Sequence, residues 1–216
     1  VLNVLKQMAA DQVVAEADGY QFMLRAADLP PGGVSMGLVA GRQAFERQRS
    51  PLPIMTAFTS APATSTLRTW IRTSRTGVIV GCQSEAHAGL PSRRWLPMIY
   101  VGSTGRLYGQ HWTADLRVQS TEKPVNDGAW HHVVLIRDQN DQRLFVDGAL
   151  VGATTAPIES DGLSSCQAGT GATSLWPDGP DGSMPFNGEI DGLDVSLRAW
   201  SASEVAEDFG RTRPLK

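Results

Sequence analysis

Three carboxylates near the C-terminus have the type and spacing of hydrolytic equipment: Glu189, Asp191 and Asp194, within Gly188–Asp194. Two carboxyl groups about 5 Å apart, one as nucleophile and one as acid/base, cleave glycosidic bonds with retention. Side chains alternate between the two faces of a strand, so residues an even number apart share a face. Glu189 and Asp194 are an odd number apart, which sends them to opposite faces and removes the pair. The same alternation puts Glu189 and Asp191 with Leu193, Val195 and Leu197 on the expected core side. There a carboxylate needs backbone donors, such as amides at a sheet edge, or a cation.

Other residues with chemistry to offer are more scattered. The Ser, His and Asp residues have no spacing that builds a nucleophilic triad. His131 and His132 lie in a strand and read as framework, while His87 and His111 have no partner identifiable from the sequence. Gly169-Thr170-Gly171 lacks the Lys and Ser/Thr of a phosphate loop. Cys82 and Cys166 are the two cysteines, 84 residues apart, and no histidine is spaced to complete a closed zinc site with them. They are either a long-range disulfide, which an exported protein would favour, or two buried thiols in a reducing compartment.

The elements that must carry these groups are organised around residues 130–152. Trp130 to Arg137 is an aromatic and β-branched run, Asp138 to Gln142 a polar turn cluster, and Leu144 to Val146 a second apolar run. Asp147-Gly148, suited to positive φ, closes it as a tight hairpin. Thr66–Thr73, Gly77–Gln83, Pro97–Gly102, Arg106–His111 and Asp115–Ser120 also read as strands at short intervals, without the helices that βαβ units require. Leu67 and Ile71 point one way; Arg68, Trp70 and Arg72 point the other, with Trp70 either clamped by guanidinium groups or covered by another segment. Ser201 with Glu204 is a capping-box signature, and Val205 with Phe209 gives the following short helix an apolar face that would cover a sheet edge. Leu2, Leu5, Met8 and Val13 recur near helical spacing until Pro30-Pro31-Gly32-Gly33 breaks the pattern. Residues 1–33 thus read as a helical lead-in or linker, and 34–216 as one domain. The expected fold is all-β, an antiparallel two-sheet jelly-roll sandwich with short helices at the termini.

Residues 130–152 resemble the middle of laminin-G-like domains, which belong to the concanavalin-A-like jelly rolls. Trp130, His131, Val133, Phe145, Asp147 and Gly148 stand where that pattern has a Trp-His-x-Val strand and an aromatic-x-Asp-Gly hairpin. Phe186 to Trp200 is similar to the closing strand with its Gly-x-Ile-Asp entry, so the likeness covers roughly residues 34–210. It implies a binding module whose ligands vary widely, and a possible Ca²⁺ ion, for which Glu189 and Asp191, or Asp178 and Asp181, are the oxygen ligands available. The same fold family includes laminarinase-type glycoside hydrolases with a Glu-x-Asp-x-x-Glu strand. In those enzymes that strand precedes the Asp-Gly hairpin, whereas here it follows.

Antiparallel strands send successive connections alternately to the two ends of a sandwich. Counting strands brings residues 84–96, 112–114, 138–142 and 156–164 to one end, with Arg93, Arg94, Trp95, His111, Trp112, Asp138, Asn140 and Asp141. Aromatic faces with flanking Arg, Asn and Asp suit a sugar ring and its hydroxyls, or a protein hot spot; otherwise the two indoles plug the end of the sandwich. The opposite end receives the Trp176–Gly182 loop with Asp178 and Asp181.

Composition narrows the partners. At 216 residues and 41% hydrophobic content the chain can bury a sizeable core, and a net charge of −3 gives no electrostatic reason to expect nucleic acid. No apolar run is long enough to insert in a membrane, and no secretory signal opens the sequence. A chain that begins at Val1 is expected to be part of a larger protein. The expected function is non-catalytic recognition of a glycan or cell-surface ligand, with protein recognition or assembly as the alternative and hydrolysis a distant third. The expected location is extracellular or at the cell surface, or cytoplasmic if the cysteines are free thiols.

Overall fold

The computed structural model describes the side chains of residues 63–84, 94–113, 117–159, 163 and 166–214, and nearer the N-terminus the backbone of six strands. Those six are β1 (Asn3–Ala9), β2 (Gln12–Ala17), β3 (Tyr20–Arg25), β4 (Ser35–Gly37), β5 (Gln43–Phe45) and β6 (Leu52–Ile54). Ten more follow: β7 (Thr64–Arg72), β8 (Gly77–Gln83), β9 (Trp95–Val101), β10 (Arg106–Gly109), β11 (Gln119–Pro124), β12 (Trp130–Asp138), β13 (Asp141–Val146), β14 (Ala149–Thr155), β15 (Ser165–Ala168) and β16 (Gly188–Ser196). The chain ends with helix α1 (Ala202–Arg211). Among the described residues the first sheet has the order β1-β2-β3-β4-β16-β7-β12-β13-β14, with β5 also on β16, and the second β11-β10-β9-β8-β15-β6. The fold is the expected antiparallel sandwich.

The organising stretch folds as its sequence dictates. β12 and β13 pair from Val133↔Val146 to Asp138↔Asp141, and β13 turns into β14 through Asp147 (φ 51°) and Gly148 (φ 78°). Val133, Leu135, Leu144 and Val146 face the inter-sheet core, where Leu67, Ile71, Ile99 and Leu107 meet them. Val134, Ile136 and Phe145 face outward, yet they are buried too, against Val205 of α1. A central strand covered on both faces reads as a continuous apolar run, as Val133 to Ile136 does.

Helix α1 begins at Ser201, whose hydroxyl accepts from the Glu204 N–H while the Glu204 carboxylate accepts from the Ser201 N–H, the reciprocal cap that the sequence signals. It covers the outer face of the first sheet and not an edge, because Val205 and Phe209 find there an apolar strip that solvent would otherwise wet. Trp70 is accordingly covered by a segment and not clamped by guanidinium groups: its ring stacks on Phe209 at 5.7 Å and its Nε1–H donates to Thr212 Oγ1 at 2.9 Å.

Two expectations are corrected at the level of elements. Residues 3–25 run as β1, β2 and β3, not as a helix, and continue the first sheet through β4. Val13-Val14 and Tyr20–Phe22 favour extended backbone, and Ala17↔Tyr20 pair across Asp18-Gly19, a hairpin signal stronger than the loose helical spacing. The strand expected at Asp115–Ser120 is β11, starting at Gln119; its polar residues Thr121 to Lys123 pair with β10 because an edge strand needs only one apolar face. Cys82 and Cys166 are direct cross-strand partners of β8 and β15, and they are bridged. On the chain-entropy model a loop of this length stabilises by about 4 to 5 kcal/mol.

Candidate functional site

The strand β16 breaks its alternation where the carboxylates lie. Asp191 stands opposite Trp70 and Asp194 opposite Arg68, so one extra residue is inserted between them, and Gly192 takes it up at φ 57°. Ile190, Leu193 and Val195 therefore all reach the core. Glu189, Asp191 and Asp194 instead register with Arg72, Trp70 and Arg68 on the outer face. The expectation that Glu189 and Asp191 enter the core face is overturned, and so is the parity argument that separated Glu189 from Asp194. Their chemistry is set by arginine. Glu189 accepts from Arg72 Nε and Nη2, and Arg72 in turn lies over the Trp130 ring, 5.2 Å from its centroid. The Arg68 Nε is 3.8 Å from Asp208 Oδ2 of α1.

The loop end is held together by hydrogen bonds that backbone amides donate between its segments. Glu159 N–H donates to Trp112 O (2.9 Å), Ala156 N–H to Asn140 O (2.9 Å), and His111 N–H to the Gln142 Oε1 (2.8 Å). Arg94 lies over the Trp112 ring at 5.1 Å, and Trp112 meets Trp176 edge-on at 5.7 Å. Trp95 and Trp112 are half-buried against the core, and Trp95 Nε1–H donates to Ser174 O at 3.2 Å. Asp138, Asn140 and Asp141 are exposed in the β12–β13 turn. His111 differs from its neighbours: it is buried behind this surface, and desolvation, with Arg137 adding to it, pushes its pKa down to about 3. It is a neutral strut of the end, not a contact residue. Arg93 and His87 lie outside the described residues.

The Trp176 loop does not belong to the opposite end alone. It starts beside Trp95 and Trp112 and runs along the outer face of the second sheet, where the Tyr100 hydroxyl donates to Pro177 O at 2.5 Å. It is anchored at the other end by Asp178, whose carboxylate accepts from the Thr104 N–H (3.0 Å) and the Tyr108 hydroxyl (3.3 Å). At its near end Leu175 is 84% exposed and held at φ 69°.

Calcium is what the resemblance implies, and two of the four carboxylates singled out for it, Glu189 and Asp178, are already engaged by other groups. Glu189 is paired with a guanidinium, which repels a cation, and Asp178 spends its oxygens on the Thr104 amide and two hydroxyls. Among the described residues no three His, Cys, Asp or Glu side chains converge as a metal site.

A feature that strand reasoning passes over is His131. Its Nδ1 is 2.8 Å from Asp147 Oδ2 and its Nε2 3.1 Å from Asp127 Oδ1, while Asp147 Oδ1 accepts from the His132 N–H at 2.8 Å. The Asp147 hydrogen bond raises its pKa, burial opposes that, and the charges of Asp147 and Asp127 add to the rise. His131 shares the inward face of Val133 but stands at the strand's end, where the sandwich opens into a groove of about 600 Å³. The clue in the sequence was Asp127, four residues before it, with Asp147 in the turn.

The chain resembles several solved structures in fold. A heptameric SAP-like pentraxin from Limulus polyphemus shares 18% identity, covering 78% of this chain and 80% of that one at a TM-score of 0.51. The binding domain of Botulinum neurotoxin DC, solved in complex with SialylT, has 10% identity over 93% of this chain and 48% of that one, at 0.52. Trypanosoma rangeli sialidase has 14% identity over 94% of this chain and 31% of that one, at 0.51. At these identities the likeness is one of fold. No curated protein matches the chain in sequence. Residues 50–206 match the family model of the concanavalin A-like lectin/glucanases superfamily, laminin-G type, and with most of its length so matched this chain belongs to that family.

Proposed function

We propose that this chain is a non-catalytic recognition module, part of a larger exported protein, and that its ligand is a glycan bound at the loop end of the sandwich. The observation that carries the reading is Arg94 lying over the Trp112 ring, with Trp112 edge-on to Trp176, at the end of the sandwich that also carries the exposed Asp138, Asn140 and Asp141. An indole braced from behind presents its remaining face at little cost in conformational freedom, and nearby carboxylates and amides give the directional hydrogen bonds that sugar hydroxyls need. The Glu189–Arg72 pairing supports a structural role for Glu189, because its carboxylate is already engaged by a guanidinium. The Cys82–Cys166 bridge supports an oxidising location.

A glycan array that includes sialylated members, probed with wild type and Trp112→Ala, tests this. Binding to a restricted set of glycans that is lost in the variant supports the proposal; equal signals from the two proteins sink it. Protein recognition is the second reading, and Leu175 favours it: a leucine this exposed beside two tryptophans suits an apolar pocket on a protein better than a sugar.

A further inference from the structure

The sandwich has one lateral side where the terminal strands of both sheets, β11 and β14, run close together. The two are protected differently. β11 carries Glu122, Lys123 and Pro124, the charges and proline that discourage strand pairing at an edge. β14 reads Ala-Leu-Val-Gly-Ala-Thr-Thr, with no charge and no proline, and most of it is exposed or half-exposed, Leu150 at 54%. Its hydrogen bonding leaves usable groups. The bond from Ala156 N–H to Asn140 O fixes the alternation of the β13–β14 ladder, in which Thr154 faces β13 and Ala153 and Thr155 turn their N–H and C=O away from it. The first part of the strand is bulged, and there the groove of about 600 Å³ opens, walled by Pro124, Leu150 and Val151 and rimmed by Glu122, Asp127 and Asp147.

We propose that the outer edge of β14, which pairs with no further strand among the described residues, binds together with this groove an extended peptide segment bearing a basic residue, adding it to the first sheet as a further strand. The main chain of the added segment pairs with Ala153 and Thr155, and its basic side chain lies in the groove among the three carboxylates. Strand addition draws affinity from backbone bonds and specificity from the pocket that receives alternate side chains. The rim determines the occupant. Its three carboxylates face Lys123 and the His131 that two of them already hold, so an incoming ammonium or guanidinium finds an acceptor. A second copy pairing β14 with β14 would set two such rims beside each other. The proposal is independent of the glycan site.

The test uses the intact chain and a fluorescein-labelled peptide, Lys-Val-Thr-Val-Lys-Val-Thr-Val, read by fluorescence anisotropy. Saturable binding is expected, weakened by about tenfold in Ala153→Pro, which removes one outward N–H without touching the β13 side of the ladder. Glu122→Lys should weaken it several-fold, and a peptide with Glu in place of Lys should bind at least as poorly as the lysine peptide binds Ala153→Pro. If Ala153→Pro fails to fold, alternate N-methylation of the peptide backbone applies the same test from the other side. Absence of binding at millimolar protein, equal binding of the lysine and glutamate peptides, or indifference to both Ala153→Pro and N-methylation overturns the proposal. A dimer in sedimentation that Ala153→Pro dissolves overturns it also, in favour of a second copy on the edge.

Discussion

Replacing Asp208 by Ala is expected to loosen the helix that closes the outer face of the first sheet. The Asp208 side chain is 4% exposed; its Oδ2 lies 3.0 Å from His132 Nε2 and 3.8 Å from Arg68 Nε, and its Oδ1 3.6 Å from Arg211. Around it Trp70, His132 and Phe209 pack ring against ring. Removing the carboxylate leaves a buried imidazole nitrogen without its hydrogen-bond partner and takes an anion from beside Arg68, which costs about 3 to 5 kcal/mol. For a domain of this size that is a fall in Tm of roughly 6 to 20 °C. Asp208→Asn keeps the shape and one acceptor oxygen, so its loss should be smaller, about 1 to 2 kcal/mol. The pH dependence has a definite sign. Burial pushes the Asp208 carboxyl up, but the His132 hydrogen bond and the charges of Arg68, His132 and Arg211 outweigh it and hold the pKa below the ordinary value. Its contribution is therefore present above the unfolded value, about 4, and lost as pH falls through the folded one, so wild type and Asp208→Asn should converge in acid. Thermal and urea melts from pH 3 to 7 measure this. A loss under about 1 kcal/mol for Asp208→Ala would refute the view that this pair fixes the helix.

Three further outcomes follow from the geometry. Trp95→Ala should cost about 2 to 3 kcal/mol of stability, since its indole packs on the core and its N–H is bonded; Trp112→Ala should act more on ligand affinity, by about 1 to 3 kcal/mol, and melts beside titrations would expose a reversal of the two. The raised pKa of His131 means that its clamp contributes fully below about pH 6.5 and fades as pH rises through the folded value. Wild type should therefore lose stability as pH rises above about 6.5 while His131→Gln does not, and parallel urea midpoints for the two would contradict it. Reduction of Cys82–Cys166 should lower the unfolding free energy by about 4 to 5 kcal/mol, and an unchanged urea midpoint in dithiothreitol would argue against that bridge as a staple.

What the sequence disclosed follows how local each signal is. The 130–152 hairpins and the Ser201–Glu204 cap depend on neighbours in the chain, and both stand where residue types place them. The β16 bulge also depends on one residue, Gly192, but a glycine inside an alternating strand gives no sign of which way the extra residue is absorbed until Arg68 and Arg72 fix the register across it. One inserted residue reversed the reading of Glu189 and Asp191 and put them on the face of Asp194. The N-terminal strands were obscured by apolar spacing that fits two periods, with Asp18-Gly19 as the deciding signal. At the loop end, strand counting brought Arg94, Trp112 and the Asp138–Asp141 turn together, but it could not say that His111 would be buried or that the Trp176 loop would run the length of the second sheet. Those depend on contacts between segments far apart in sequence.

The six tryptophans give the proposed site its most direct measurement, because they report on separate regions. Trp95, Trp112 and Trp176 sit at the loop end, Trp130 beside the Glu189–Arg72 pair, and Trp70 beneath α1. Indole N–H resonances of ¹⁵N-labelled protein, titrated with the oligosaccharide that binds best on the array, should shift at Trp95 and Trp112 while Trp70 and Trp130 stay in place. Movement confined to Trp130, or release of new reducing ends from the oligosaccharide during the titration, would contradict the account and return the β16 carboxylates to the centre of the function.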